Sequence, residues 1–200
     1  ESAGDGTFDD PTSLDGTYYP GAGDIMSGSV LLILNVEAIQ PCQTAAVDFM
    51  KLSITLTPDI SAGDDVSICE NSIAWLTAGG SNFSYIEWST AGDGIFNNTG
   101  SLTVAYLPGD GDKTAGSVDL TLTGWPMDPC VNTVEDQATV FLQQLPTSYA
   151  GADQEVCYDE DVYLDDAAFG NHAGVEWFVV NGGGSFDEPT AENPVYYPDP

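Results

Sequence analysis

The chain has 200 residues, with 2 Lys+Arg against 32 Asp+Glu and a single His, for a formal charge of −30. Two cations cannot neutralise a nucleic-acid backbone or hold an anionic lipid surface, which excludes both as partners. A content of 42% hydrophobic and 10% aromatic residues also excludes a disordered acidic chain.

The first segment begins with AGDGTF (Ala3–Phe8), which lies over AGDGIF (Ala91–Phe96) at an offset of 88 residues. The same offset holds without a gap through Tyr18 and Tyr106, Gly28-Ser29-Val30 and Gly116-Ser117-Val118, Cys42 and Cys130, Asp48 and Asp136, and Pro58 and Pro146. The longest apolar run, Val30–Leu34, is far shorter than the ~20 residues of a membrane span, so a soluble chain without membrane insertion is expected.

The second segment continues the pattern. Period-2 alternation predicts strands over Val66–Cys69, Ile73–Ala78, Tyr85–Ser89 and Leu102–Leu107, and two longer ones around Val118-Leu120-Leu122 and Ala138-Val140-Leu142. Turn clusters such as Gly92-Asp93-Gly94 and Pro108–Asp112 separate them, and no helical stripe of useful length is present. Trp88, with Ile86 on the same face, is expected in the core. In the third segment Cys157 follows Cys69 at 88, Trp177 follows Trp88 at 89 and Tyr196 follows Tyr106 at 90, so two single-residue insertions intervene.

The expected class is therefore all-β, built from tandem immunoglobulin-like (PKD-like) β-sandwich repeats of about 88 residues. Residues 59–146 form a complete repeat, 1–58 the C-terminal part of the one before, and 147–200 the N-terminal part of the next. Neither end piece is expected to bury a core alone.

The order AGDDVSIC, WST-GDGIF, LTVAYLPGDGDKTAGSVDLTLT and DPC resembles the repeats of the SprB-type gliding-motility adhesins of Bacteroidetes, which are similar to PKD domains. The resemblance implies a long filament of tandem sandwiches, exported to the cell surface, that adheres or is moved along the cell. Expected partners are neighbouring repeats of the same chain, a self-assembled filament, and a surface or glycan ligand.

Two cysteines per repeat without a CxxC or Cys/His cluster suit disulfides in an oxidising compartment better than a metal site. Cys69–Cys130 would make each repeat self-contained; the alternative joins Cys42–Cys69 and Cys130–Cys157. If the first strand runs parallel to the last, however, Cys69 stands a strand length from the loop of Cys130, beyond the ~7 Å between bonded Cα atoms.

No cofactor is required by any motif, and calcium is the one cation considered. Head-to-tail packing would bring Asp110 and Asp112 near Asp153, and Asp24 near Asp64 and Asp65, as oxygen ligands at the junctions; the alternative is a solvated acidic surface. No catalytic motif is present, and the lone His172 lies in the loop Gly170–Gly174, so no enzyme activity is expected. Finally, Leu31, Ile33 and Phe49 replace Asp119, Thr121 and Gln137 on an outward sheet face, which marks an assembly contact or a harmless surface change. Trp125 in a loop, and Trp75 with Tyr163 on an outward face, are candidates for stacking on sugars. Two other functions stay open: a calcium-rigidified extender of a surface- or ice-binding adhesin, and a carbohydrate-binding module of a secreted hydrolase.

Overall fold

A computed structural model describes residues 1–200 apart from Tyr158 and Pro200. In the first segment β1 (Thr7–Phe8) pairs with β2 (Tyr18–Tyr19), helix α1 (Ala22–Ser27) follows, and β3 (Ser29–Val36) and β4 (Ala46–Ser53) form a hairpin. The second holds β5 (Asp59–Ser61), β6 (Val66–Cys69), β7 (Ala74–Thr77), β8 (Gly79–Ser81), β9 (Phe83–Thr90), β10 (Ile95–Phe96), β11 (Thr103–Leu107), helix α2 (Asp110–Ala115), β12 (Ser117–Pro126) and β13 (Val134–Gln143). The third holds β14 (Thr147–Tyr149), β15 (Val162–Tyr163), β16 (Ala168–Gly170), β17 (Ser185–Phe186) and β18 (Val195–Tyr197). The described residues are thus mostly β-strand, as expected; the two short helices are not, and they occupy the turns read from sequence as Pro108–Asp112 and its counterpart.

In the second segment a four-stranded sheet of order β6-β13-β12-β9 and a three-stranded sheet of order β10-β11-β7 share one core. Leu76, Val104 and Tyr106 come from the smaller sheet, and Trp88, Leu120, Leu122, Val140 and Leu142 from the larger. Alternation explains this directly, because alternate residues of β12 from Val118 to Gly124 and of β13 from Ala138 to Leu142 are buried while those between them are more exposed. Trp88 is buried as expected, and its indole N–H donates to the Ser101 carbonyl at 3.0 Å. Strand β6 joins the larger sheet parallel to β13, pairing Val66 with Val140 and Cys69 with Gln143. The remaining pairs of the two sheets are antiparallel.

The β3–β4 hairpin repeats the β12–β13 register at the 88-residue offset: Ser29 faces Ser53 as Ser117 faces Phe141. Residues 1–3 run along β3 as the end of β9 runs along β12, with Ser2 opposite Leu32 where Thr90 is opposite Leu120. In the third segment β15, β18 and β17 pair in the same order as β7, β11 and β10.

Candidate functional site

The feature that recurs most closely is a clasp between two aspartates, a tyrosine and a glycine-rich turn. The Asp112 carboxylate accepts from the Tyr106 hydroxyl at 2.7 Å and from the amides of Gly94 and Gly109, both at 3.1 Å. Asp93 accepts in turn from the amides of Gly111 and Asp112 at 2.9 and 3.1 Å, so it satisfies the free N–H groups of the first turn of α2. Eighty-eight residues earlier Asp24 accepts from the Tyr18 hydroxyl and from Gly6 and Gly21, while Asp5 accepts from Gly23 and Asp24. Glycine is required because the carboxylates lie against the backbone: a Cβ on Gly92 would fall on the Asp112 carboxylate, and one on Gly109 on that of Asp93. The Gly-Asp-Gly turns are therefore built around carboxylates.

The clasp sets its own electrostatics. Amides of Gly111 and Asp112 hold the Asp93 carboxyl below its usual range, and the Tyr18 hydroxyl, with the amides of Gly21 and Gly6, does the same for Asp24. Burial pushes the Tyr106 phenol up to about 12.

This geometry corrects the calcium expectation. Asp24 and Asp112 are each only 3% exposed, with their oxygens occupied by internal donors. Asp110 is exposed and paired with Lys113 at 3.2 Å. Asp65 accepts from the Thr139 amide at 2.8 Å, and Asp64 and Asp153 are exposed. Among the described residues no three acidic, His or Cys side chains converge on a metal-sized site. The junction between the first two segments is instead mixed in character, lined by Ile25, Met26, Ile54, Leu56 and Met127 beside Ser27, Thr55 and Asn82, with Asp128 as its one acidic member. The C-terminal end of α1 faces the next segment, and its aspartate is folded inward.

No two of Cys42, Cys69, Cys130 and Cys157 are bonded to each other, and the expected Cys69–Cys130 pairing does not fit the strand geometry. Cys69 lies opposite Gln143, the last residue of β13, whereas Cys130 lies in the loop before Val134, its first. A ten-residue strand separates them by about 30 Å. The Cys130 thiol sits 3.4 Å from the Thr55 carbonyl of the preceding segment, and the Thr55 hydroxyl donates to the Asp128 carbonyl at 3.2 Å.

Leu31 and Phe49 are exposed, and Ile33, opposite Phe49, is half-buried. Trp75 and Tyr163 are exposed on their strands as read from sequence. Trp125 belongs to β12 and not to a loop; it stacks on Tyr85 of β9 with centroids 5.3 Å apart and planes 12° from parallel, and both rings reach solvent. Sequence reasoning passed over Tyr85 because the pairing of Trp125 with Tyr85 appears only once β12 extends to Pro126. His172 lies 3.7 Å from Glu192 and edge-on to Phe169.

No protein-family model matches the chain, and no curated protein matches it.

Proposed function

We propose that this chain is a stretch of tandem immunoglobulin-like, PKD-like sandwich repeats that acts as a structural and adhesive segment of a long extracellular, cell-surface filament of the kind the SprB-type adhesins form. The observation that carries this reading is the recurrence of one clasp and one hairpin register at a fixed 88-residue spacing, with the tip of the second hairpin bonded to the end of the first segment. A unit that repeats its internal bonds and contacts its predecessor through a short connection extends into a stiff rod. The acidic coat keeps such a rod soluble and discourages its sheet edges from pairing. No reaction is assigned to it.

Antibodies to this chain should label intact cells that make it, and external protease should remove the label. Labelling that needs permeabilised cells would sink the reading.

A second reading, a glycan-binding module, is favoured by the exposed Tyr85–Trp125 stack, since parallel aromatic rings offer apolar area to a sugar face. Trp125→Ala should then abolish retention on the glycan that retains the parent chain; equal retention of both leaves the stack as surface packing.

A further inference from the structure

The four thiols are arranged in two classes. One class, called first-strand below, stands at the end of β6 (Cys69) and at the equivalent position Cys157; each opens the same turn, with Ser72 N donating to Cys69 O at 2.9 Å and Glu160 N to Cys157 O at 3.1 Å. The other sits at the hairpin tip, as Cys42 and Cys130 do, again in one geometry: Cys42 N donates to Ile39 O and Cys130 N to Met127 O, both at 3.0 Å.

These two classes lie at opposite ends of a repeat, but at the same end of a junction. At the outgoing end of the second segment, Cys69 lies beside Gln143, and the Gln143 carbonyl accepts from Glu70 N at 2.9 Å. The residue 88 positions before Gln143 is Thr55. Their equivalence is structural as well as sequential, because Ile54 N donates to Gly28 O as Leu142 N donates to Gly116 O, both at 2.9 Å. The carbonyl that corresponds to that of Gln143 is therefore that of Thr55, and it is the one the Cys130 thiol approaches to 3.4 Å. In a run of repeats the first-strand cysteine of one repeat and the hairpin-tip cysteine of the next meet over the same carbonyl. The first-strand cysteine stands one strand spacing, ~4.8 Å, from the residue that bears this carbonyl, and the other thiol touches the same carbonyl, so the two are neighbours; closing the bond requires their Cα atoms to come within about 4.4–6.8 Å.

We propose that successive repeats are stapled head to tail by a disulfide between the first-strand cysteine of one repeat and the hairpin-tip cysteine of the next. Cys69 would bond the tip of the repeat that follows it, and Cys130 the first strand of the repeat before it. The staple gives each junction a second covalent connection beside the linker at Pro58 or Pro146, so tension is shared between two paths. It rests on the tandem-repeat reading above. Its chemistry is an exchange with a disulfide-bearing oxidant. The two thiols lose two protons and two electrons as their S–S bond forms, and the oxidant's S–S bond is reduced to two thiols.

The test inserts a second copy of residues 59–146 directly after Pro146, so that two complete repeats adjoin. In one version only Cys69 of the first copy and Cys130 of the second are kept, and all other cysteines are changed to Ser. In the other version both kept cysteines lie in the same copy. After treatment with oxidised glutathione, non-reducing peptide mapping should find the Cys69 and Cys130 peptides joined within one molecule in the first version. Both thiols should remain unlinked to each other in the second. A link within one copy, a link between molecules, or none in the first version overturns the proposal. A check on the chain as it stands is Thr55→Cys with Cys130 kept and the other cysteines changed to Ser. The two should join on oxidation; failure means that the hairpin tip does not sit at Thr55 and also overturns it. Surface labelling of cells, which tests the extracellular reading, has no bearing on either linkage result, so the two can fail separately.

Discussion

Leu34 and Leu122 hold the same position in two hairpins of identical register, yet Leu34 is 61% exposed and Leu122 is 0%. Met50 and Ala138 differ in the same way, at 57% and 1%. The hairpins themselves are equivalent; what differs is that β7, β10 and β11 together cover β12 and β13, while among the described residues only the β1–β2 pair, the counterpart of β10 and the end of β11, lies over β3 and β4, and no counterpart of β7 is present. The clasps do not follow this difference, because Asp24 and Asp112 are equally buried. The comparison separates two kinds of order in the two segments. Turn structure is held by local hydrogen bonds and persists in the first segment, whereas full core burial needs the complete second sheet.

A matched pair of truncations should separate the two hairpins most strongly. Leu122→Ala should cost about 3 kcal/mol, the usual cost of a cavity under a buried leucine. Leu34→Ala should cost less than about 1 kcal/mol, because it removes a side chain already in water. Urea denaturation followed by circular dichroism reads both; equal costs would show that the first segment has a core of its own.

The clasp offers the next largest effect. Asp112→Ala removes the acceptor of Tyr106, Gly94 and Gly109 at once, and should cost about 3 kcal/mol, since buried donors are left without partners. Amide exchange at Gly94 and Gly109 should accelerate with it. Asp24→Ala should accelerate exchange at Gly6 and Gly21 in the same way. If only the second-segment turn loosened, the two clasps would not be independent of the core, and the comparison would fail on its other side.

How much of this was legible follows from the same distinction. Strand β6 was read to the residue, and the paired strands β12 and β13 were found from Val118-Leu120-Leu122 and Ala138-Val140-Leu142, because a half-buried strand writes its burial into alternation. The helices left no such trace. Ala22–Ser27 and Asp110–Ala115 are six residues long and contain glycine, and they form because carboxylates satisfy their first turns. Asp24 and Asp112 read as surface charges because aspartate is so seldom buried. The joint spacing of Gly94, Tyr106, Gly109 and Asp112, matched by Gly6, Tyr18, Gly21 and Asp24, was the signal that could have found them. The β5–β8 pair was missed because Gly79-Gly80 carries almost no strand signal. The parallel run of β6 against β13, which decides where the thiols lie, is a tertiary fact that no local pattern encodes.

Acid and alkali sharpen the account of the clasp from either side. Asp93 and Asp24 have carboxyls held below the usual 3.8, so their contribution is present above that value and is lost as pH falls through the depressed one. Tyr106 has the opposite sign: with its phenol raised from 10.0 to about 12, its contribution is complete below pH 10 and declines as pH rises towards 12. Melting temperature against pH should therefore fall at both extremes. Tyr106→Phe should flatten the alkaline limb and leave the acid limb in place; an unchanged alkaline limb would remove Tyr106 as its source.

The smallest effect is expected from salt, and it addresses the charge. The 32 Asp+Glu are met by only 2 Lys+Arg, and Lys113 is already bound to Asp110, so most exposed carboxylates have no cation to pair with. Screening this repulsion should raise the melting temperature by about 2–5 °C between 50 and 500 mM sodium chloride. Exposed acids occur in both hairpin segments, as Asp48 and Asp119 do, so the shift should be shared by the fully and the partly covered hairpin, unlike the leucine truncations. Calcium chloride at matched ionic strength should give the same rise, because Asp24 and Asp112 are folded into clasps and the other candidate aspartates do not converge among the described residues. A clearly larger rise in calcium would mean that carboxylates from two segments converge in solution, and the clasps would then be only part of the acidic residues' role.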